Sequence, residues 1–180
     1  DFPITQSMDK ELLERTLKHL FPIQDETTTP NIVCNWQENF EVTQQEIVEL
    51  FKKISNKKAP GPDGIRGFIL KRTSNSMLPY WTQCFTKCLK EGYFPLEWKV
   101  AHLVLLKKPG KPEGIPGSYR PICLLDEAGK LLERVISQRI IKFLEANNRI
   151  SDNQFGFRKN KSTIDAIIKV KQIVEKYTRK

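Results

Sequence analysis

The chain has 180 residues with 30 Lys and Arg against 21 Asp and Glu, a net charge of +9; that is length for one ordinary domain with a real core, or for a piece cut from something larger. The charge is uneven: residues 1–55 carry 5 basic and 10 acidic side chains and residues 56–180 carry 25 and 11, so the cationic surplus points to a polyanionic partner such as nucleic acid. No apolar run approaches membrane-spanning length and no signal-peptide pattern opens the chain, which argues against a membrane and makes a soluble intracellular protein the expectation.

Residues 9–21 place Leu13, Leu17, Leu20 and Phe21 on one helical face, with Asp9 as N-cap, and Pro22 ends the pattern. The Thr and Pro cluster at 27–30 is the best boundary in the sequence, so residues 1–40 read as a connector. Thr43 and Glu46 then form a capping-box pattern before Ile47, Leu50, Phe51 and Ile54, which follow helical spacing. The loop SNKKAPGPDGI that follows carries Lys57 and Lys58 and an Asp63-Gly64 turn signal. It is a helix stop and a turn, or a run of amides and lysines able to hold a phosphate. Leu78, Trp81, Phe85 and Leu89 mark a further helix closed by Gly92, with its aromatic residues expected in the core.

Residues 98–125, WKVAHLVLLKKPGKPEGIPGSYRPICLL, read as a long hairpin with a cationic tip. The arm from Val100 to Leu106 is an apolar run of strand length, and periodicity alone allows a strand or a short buried helix. The flanking turn residues favour the strand. Three prolines and three glycines between Pro109 and Gly117 forbid a helix in the loop, and Pro121 places the second arm at a sheet edge or itself near the strand's start. Lys107, Lys108, Lys111 and Arg120 then project where an anion could sit; an ordinary solubilising loop is the competing reading.

Asp126 can cap a long helix with Leu132, Val135, Ile136, Ile140, Phe143 and Leu144 along one stripe. Lys130, Arg134, Arg139 and Lys142 fall largely off it, as a solvated face or a track for a phosphate backbone. NQFGFRKNKST, residues 153–163, is the other dense polar stretch, and Ser162 with Asp165 forms a second capping-box pattern. It opens a helix whose buried side should hold Ile164, Ile167, Ile168 and Val174. Cys34, Cys84, Cys88 and Cys123 have no metal-ligand spacing and read as buried free thiols. The acidic residues are scattered singly, and no phosphate-loop, nucleophile-elbow or metal-binding histidine pattern is present. From the residues alone, the chain binds an anion and performs no identifiable reaction.

Taken together, KKAPGPDGI, WKVAHLVLLKKPGKP, SYRPICLL and NQFGFRKNKST resemble, in the same order, the N-terminal part of the reverse transcriptase of non-LTR, jockey-like retrotransposons. The resemblance covers residues 40–180, and residues 1–40 look like the connector that follows an endonuclease domain in such elements. It implies an α+β fold: the mostly helical fingers of a right-hand polymerase with an antiparallel hairpin, palm and thumb absent. It implies nucleotide contacts at Lys107, Lys108 and Arg120, where the fingers close over the triphosphate. Template and primer contacts are expected at Lys57, Lys58, Lys111, Gln154, Gly156, Arg158, Lys159 and Lys161. The family's catalytic aspartates and their magnesium would lie beyond Lys180, so no catalytic or metal-binding residue is expected here and the chain alone should be inactive. The implied partners are an RNA template, a DNA primer, dNTP and the rest of the polymerase, in cytoplasm and nucleus. The alternative is a non-enzymatic nucleic-acid-binding module, a relic or domesticated fragment that keeps only the basic surface.

Overall fold

The computed structural model describes residues 8–22 and 35–178, so Cys34 and the boundary at 27–30 lie outside the described residues. Five helices and one two-stranded antiparallel sheet are present among them: α1 (Lys10–Leu20), α2 (Gln44–Lys52), α3 (Gly67–Lys90), β1 (Ala101–Lys107), β2 (Tyr119–Leu125), α4 (Glu127–Ala146) and α5 (Thr163–Thr178). The chain divides into two compact units, residues 1–135 and residues 136–180. No helix among the described residues is long and apolar enough to cross a membrane.

Local chemistry sets the helix ends of the first unit. The Asp9 carboxylate accepts the N–H groups of Glu11 and Leu12 at 3.1 and 3.2 Å, satisfying donors that the start of α1 leaves orphaned. Thr43 and Glu46 form the reciprocal capping box of α2, and Ile47, Leu50, Phe51 and Ile54 are all buried. α3 starts eleven residues earlier than the Leu78 stripe suggests. Gly67 opens it where a Cβ would collide with Ile54, and Pro79 lies inside it. Its end is a Schellman motif: Gly92 has φ +60°, its N–H reaches the Leu89 carbonyl (3.3 Å), and the Tyr93 N–H reaches that of Cys88 (2.9 Å).

The core of this unit is an aromatic chain. Phe51 meets Trp81, Trp81 meets Phe85 at 5.4 Å between ring centroids, and Phe85 meets Trp98 edge-on at 6.0 Å. Phe85 is fully buried, and Leu105, Leu131, Leu132 and Val135 bring β1 and the first turns of α4 into the same core. Trp98 ties the hairpin root down twice, since it packs on Phe85 and fills the space beside Gly129, where an added Cβ would lie 2.9 Å from its own Cβ. α1 packs against a 3-10 turn at Pro116–Ser118 on the return of the hairpin loop.

Several expected burials are not found. Phe21 is exposed beyond α1, where Thr16 is the fully buried residue. Cys88 is buried and its thiol is pushed up by that burial, with Cys84 adding to the effect, but Cys84 and Cys123 are exposed. In the second unit Ile140 and Phe143 are exposed, and so are Ile164, Ile167, Ile168 and Val174; no residue of α5 is buried. An apolar stripe records that a face is meant to be covered, and nothing among the described residues covers this one.

Candidate nucleotide and nucleic-acid interface

The hairpin register separates residues that the sequence groups together. Opposed residues of an antiparallel pair share a face, and successive residues alternate. Lys107 opposes Tyr119 and Leu105 opposes Pro121, so Lys107 belongs to the face of the buried Leu105 and Tyr119. Arg120 opposes Leu106, and Ile122 opposes Val104; on this other face Leu106 and Ile122 are each 41% exposed. Arg120 is exposed there, and among the described residues its guanidinium makes no hydrogen bond or ion pair. Pro121 sits in mid-strand, which a two-stranded sheet tolerates because both strands are edges.

The loop lysines are engaged. Lys107 pairs with Glu113 across the loop, and this ammonium, through its hydrogen bond first and its charge second, holds the Glu113 carboxyl below its ordinary range. Lys108 donates its Nζ to the Gly117 carbonyl at 2.8 Å, while its backbone N–H donates to Ser118 at 2.8 Å and lengthens the ladder by one bond. Gly110 and Gly114, at φ +70° and +78°, make the reversals between these ties. Lys111 is exposed at the tip. A phosphate arriving at Lys107 must displace Glu113, whereas one arriving at Arg120 displaces only water.

Lys57 and Lys58 are exposed on the loop between α2 and α3. The Gly64 N–H closes the turn on Gly61 at 3.1 Å, and the Asp63 carboxylate accepts the Ile65 N–H at 2.8 Å. Burial pushes the Asp63 carboxyl up, the Ile65 hydrogen bond opposes this, and the negative charge of Asp126 adds to it. A carboxyl raised on folding favours the folded state while protonated, and that stability is lost as pH rises through its folded value. Asp63→Asn is therefore expected to flatten the stability-pH curve just above the ordinary Asp range. Urea midpoints across that window check it: an unchanged pH slope contradicts the assignment.

In the second unit, residues 151–162 form a loop fixed by its own polar groups. Gln154 donates to the Gly156 carbonyl at 3.0 Å, Arg158 donates to that of Ser151 at 3.0 Å, and the Lys161 ammonium lies 5.5 Å from the centre of the Phe155 ring. Lys159 is exposed. Ser162 and Asp165 form the expected capping box of α5, and the Ser162 hydrogen bonds hold the Asp165 carboxyl low. A cavity of about 350 Å³ lies against Gln154, Gly156, Arg158 and Lys159. Phe157, which residue-type reasoning passes over, is fully exposed with φ +55°, a conformation that bulky side chains rarely adopt. Off α4, Lys130 is no solvated cation, since its Nζ pairs with the buried Glu127 at 2.9 Å.

Among the described residues no three His, Cys, Asp or Glu side chains are grouped so as to hold a metal ion. The described residues therefore do not fit a catalytic metal.

Residues 106–180 match the family described as reverse transcriptase (RNA-dependent DNA polymerase). The chain is 39% identical over 136 residues to the "Probable RNA-directed DNA polymerase from transposon X-element" of Drosophila melanogaster, covering 75% of this chain and 15% of that protein. It is 39% identical over 136 residues to the "Retrovirus-related Pol polyprotein from type-1 retrotransposable element R1" of Bradysia coprophila, covering 75% and 13%. Over 129 residues it is 37% identical to the "RNA-directed DNA polymerase from mobile element jockey" of Drosophila funebris, covering 72% and 14%. The matched region spans only 13 to 15% of the length of these curated relatives. The chain is thus part of a reverse transcriptase domain, of the kind carried by non-LTR retrotransposons.

Proposed function

We propose that residues 41–180 form the fingers of a right-hand polymerase and the approach to its palm, behind a connector of residues 1–40 that follows an endonuclease domain. In the complete enzyme, working in cytoplasm and nucleus, this part binds dNTP and the RNA template with its DNA primer; magnesium and the catalytic carboxylates are supplied by the palm. Arg120 forks onto the triphosphate, with Lys108 joining once the incoming phosphates replace the Gly117 carbonyl; Lys107 joins only by leaving Glu113 and reaching round from the opposite face of the hairpin. Lys57, Lys58, Lys111, Arg158, Lys159 and Lys161 neutralise template and primer phosphates, and Gln154 and Gly156 lie along the nascent pair. The observation that carries this reading is the uncommitted Arg120 guanidinium on the open face of the hairpin, within the region, residues 106–180, that matches the polymerase family. The exposed isoleucines of α5 support a piece of a larger domain, because contiguous apolar faces are covered in finished folds.

The 180-residue chain alone is expected to incorporate no nucleotide in a primer-extension assay with dNTP and magnesium, while a protein extended through the palm incorporates them. Magnesium-dependent extension by the chain itself would overturn the placement of the catalytic centre outside these residues.

A further inference from the structure

At the corner between β2 and α4, Asp126 stands at the N-cap position of the helix, its carbonyl accepting the Lys130 N–H at 3.3 Å, while its carboxylate reaches a residue of neither element. Asp126 is only 4% exposed, and its Oδ1 accepts the backbone N–H of Asp63 at 3.1 Å across 63 positions of sequence. From the other side, Gly61 lies flat against the same corner. A Cβ there would overlap Asp126 Oδ1, the Asp126 nitrogen and the carbonyl carbon of Leu125. No side chain fits between loop and corner, so the approach requires glycine. The Gly61 carbonyl and Gly64 N–H then close the turn over this seat. The same corner is fixed on its inner side by Trp98 against Gly129, at the root of β1. One buried carboxylate thus joins the loop that carries Lys57 and Lys58 to the strand that carries Arg120.

We infer that Asp126 is a positioning residue: by accepting the Asp63 N–H and seating Gly61, it sets the reach of Lys57 and Lys58 toward a nucleic-acid strand held beside the hairpin. This rests on the proposed nucleic-acid contacts of those two lysines. The carboxylate touches no ligand. Without it the loop loses this side-chain anchor to the corner, and the two lysines follow a tether of prolines and glycine. An Asp63 N–H left without its acceptor at this part-buried corner favours an opened loop, in which water can take its place, over a strained one.

The test is binding of the whole chain to fluorescein-labelled single-stranded RNA over a range of salt concentrations. Each phosphate contact contributes about 0.7 to the slope of log K against log salt, so Lys57→Ala/Lys58→Ala is expected to flatten it by about 1.4. Asp126→Ala is expected to flatten it by the same amount, and adding it to the double lysine variant changes nothing further, because it acts through those lysines. Asp126→Asn, which keeps an oxygen for the Asp63 N–H, restores the slope. If the double lysine variant binds as the parent does, the reading of this loop as a nucleic-acid contact fails and takes the inference with it. If it flattens the slope and Asp126→Ala does not, or Asp126→Ala weakens binding at an unchanged slope, the positioning role alone is overturned. Should Asp126→Ala fail to fold, Gly61→Ala attacks the seat from the loop side and carries the same expectation. In the unaltered chain the Asp63 amide is expected to exchange slowly with solvent, and exchange at the free-amide rate would also overturn the inference.

Discussion

In an enzyme extended through the palm, Arg120→Ala is expected to lower kcat/KM for dNTP by about ten- to a hundredfold, the span of roughly 1.5 to 3 kcal/mol for a hydrogen bond involving a charged group. Arg120 stands on the exposed face of the hairpin opposite Leu106, anchored by a two-stranded sheet whose other face holds the buried Leu105 of β1 and Tyr119 of β2. Its guanidinium has nothing to surrender before meeting a phosphate, whereas Lys107 must leave Glu113. The arginine therefore carries the larger share. Arg120→Lys is expected to recover only part of the loss, because charge returns without the planar fork. The defect belongs in dNTP kinetics and not in template-primer affinity. Unchanged dNTP kinetics with weakened template binding would assign Arg120 to the template track.

The largest stability effect is expected at Phe85. It is fully buried between Trp81 and Trp98, and truncating a buried phenylalanine to alanine costs about 3 to 5 kcal/mol. Against a total of roughly 5 to 15 kcal/mol for a typical domain, Phe85→Ala removes much of what holds the first unit together. Because Trp98 leads into β1, the hairpin root loosens with it. Ile167→Ala on α5 is the contrast, expected within about 0.5 kcal/mol because that side chain is 68% exposed. Urea unfolding of both variants checks the pair, and equal losses would mean that α5 is covered in solution.

The features legible in sequence are those decided within a few residues. The capping boxes at Thr43 and Ser162, the Asp9 cap and the Gly92 helix stop appear where the residue types place them, because each motif is closed by its immediate neighbours. The hairpin was legible from its turn residues and apolar arms, but its register was not. A connection as long as residues 108–118 leaves the pairing undetermined by one residue, and one residue moves a side chain to the other face. That is why Lys107 and Arg120, grouped by charge, stand on opposite faces. The Asp126 to Asp63 hydrogen bond spans 63 positions and leaves no local trace. At 155–157 the glycine draws the eye, yet the left-handed backbone falls on Phe157, outside what residue type announces. The α5 stripe marks an apolar face without saying what covers it, and no described residue of α5 is buried.

The most direct test of the account is a salt titration of the 180-residue chain on single-stranded RNA of several unrelated sequences. If Lys57, Lys58, Lys111, Arg158, Lys159 and Lys161 each neutralise one phosphate, log K is expected to fall with log salt at a slope of about −4, with little difference between sequences. A flat titration would contradict the reading of these basic residues as contacts to a nucleic-acid backbone.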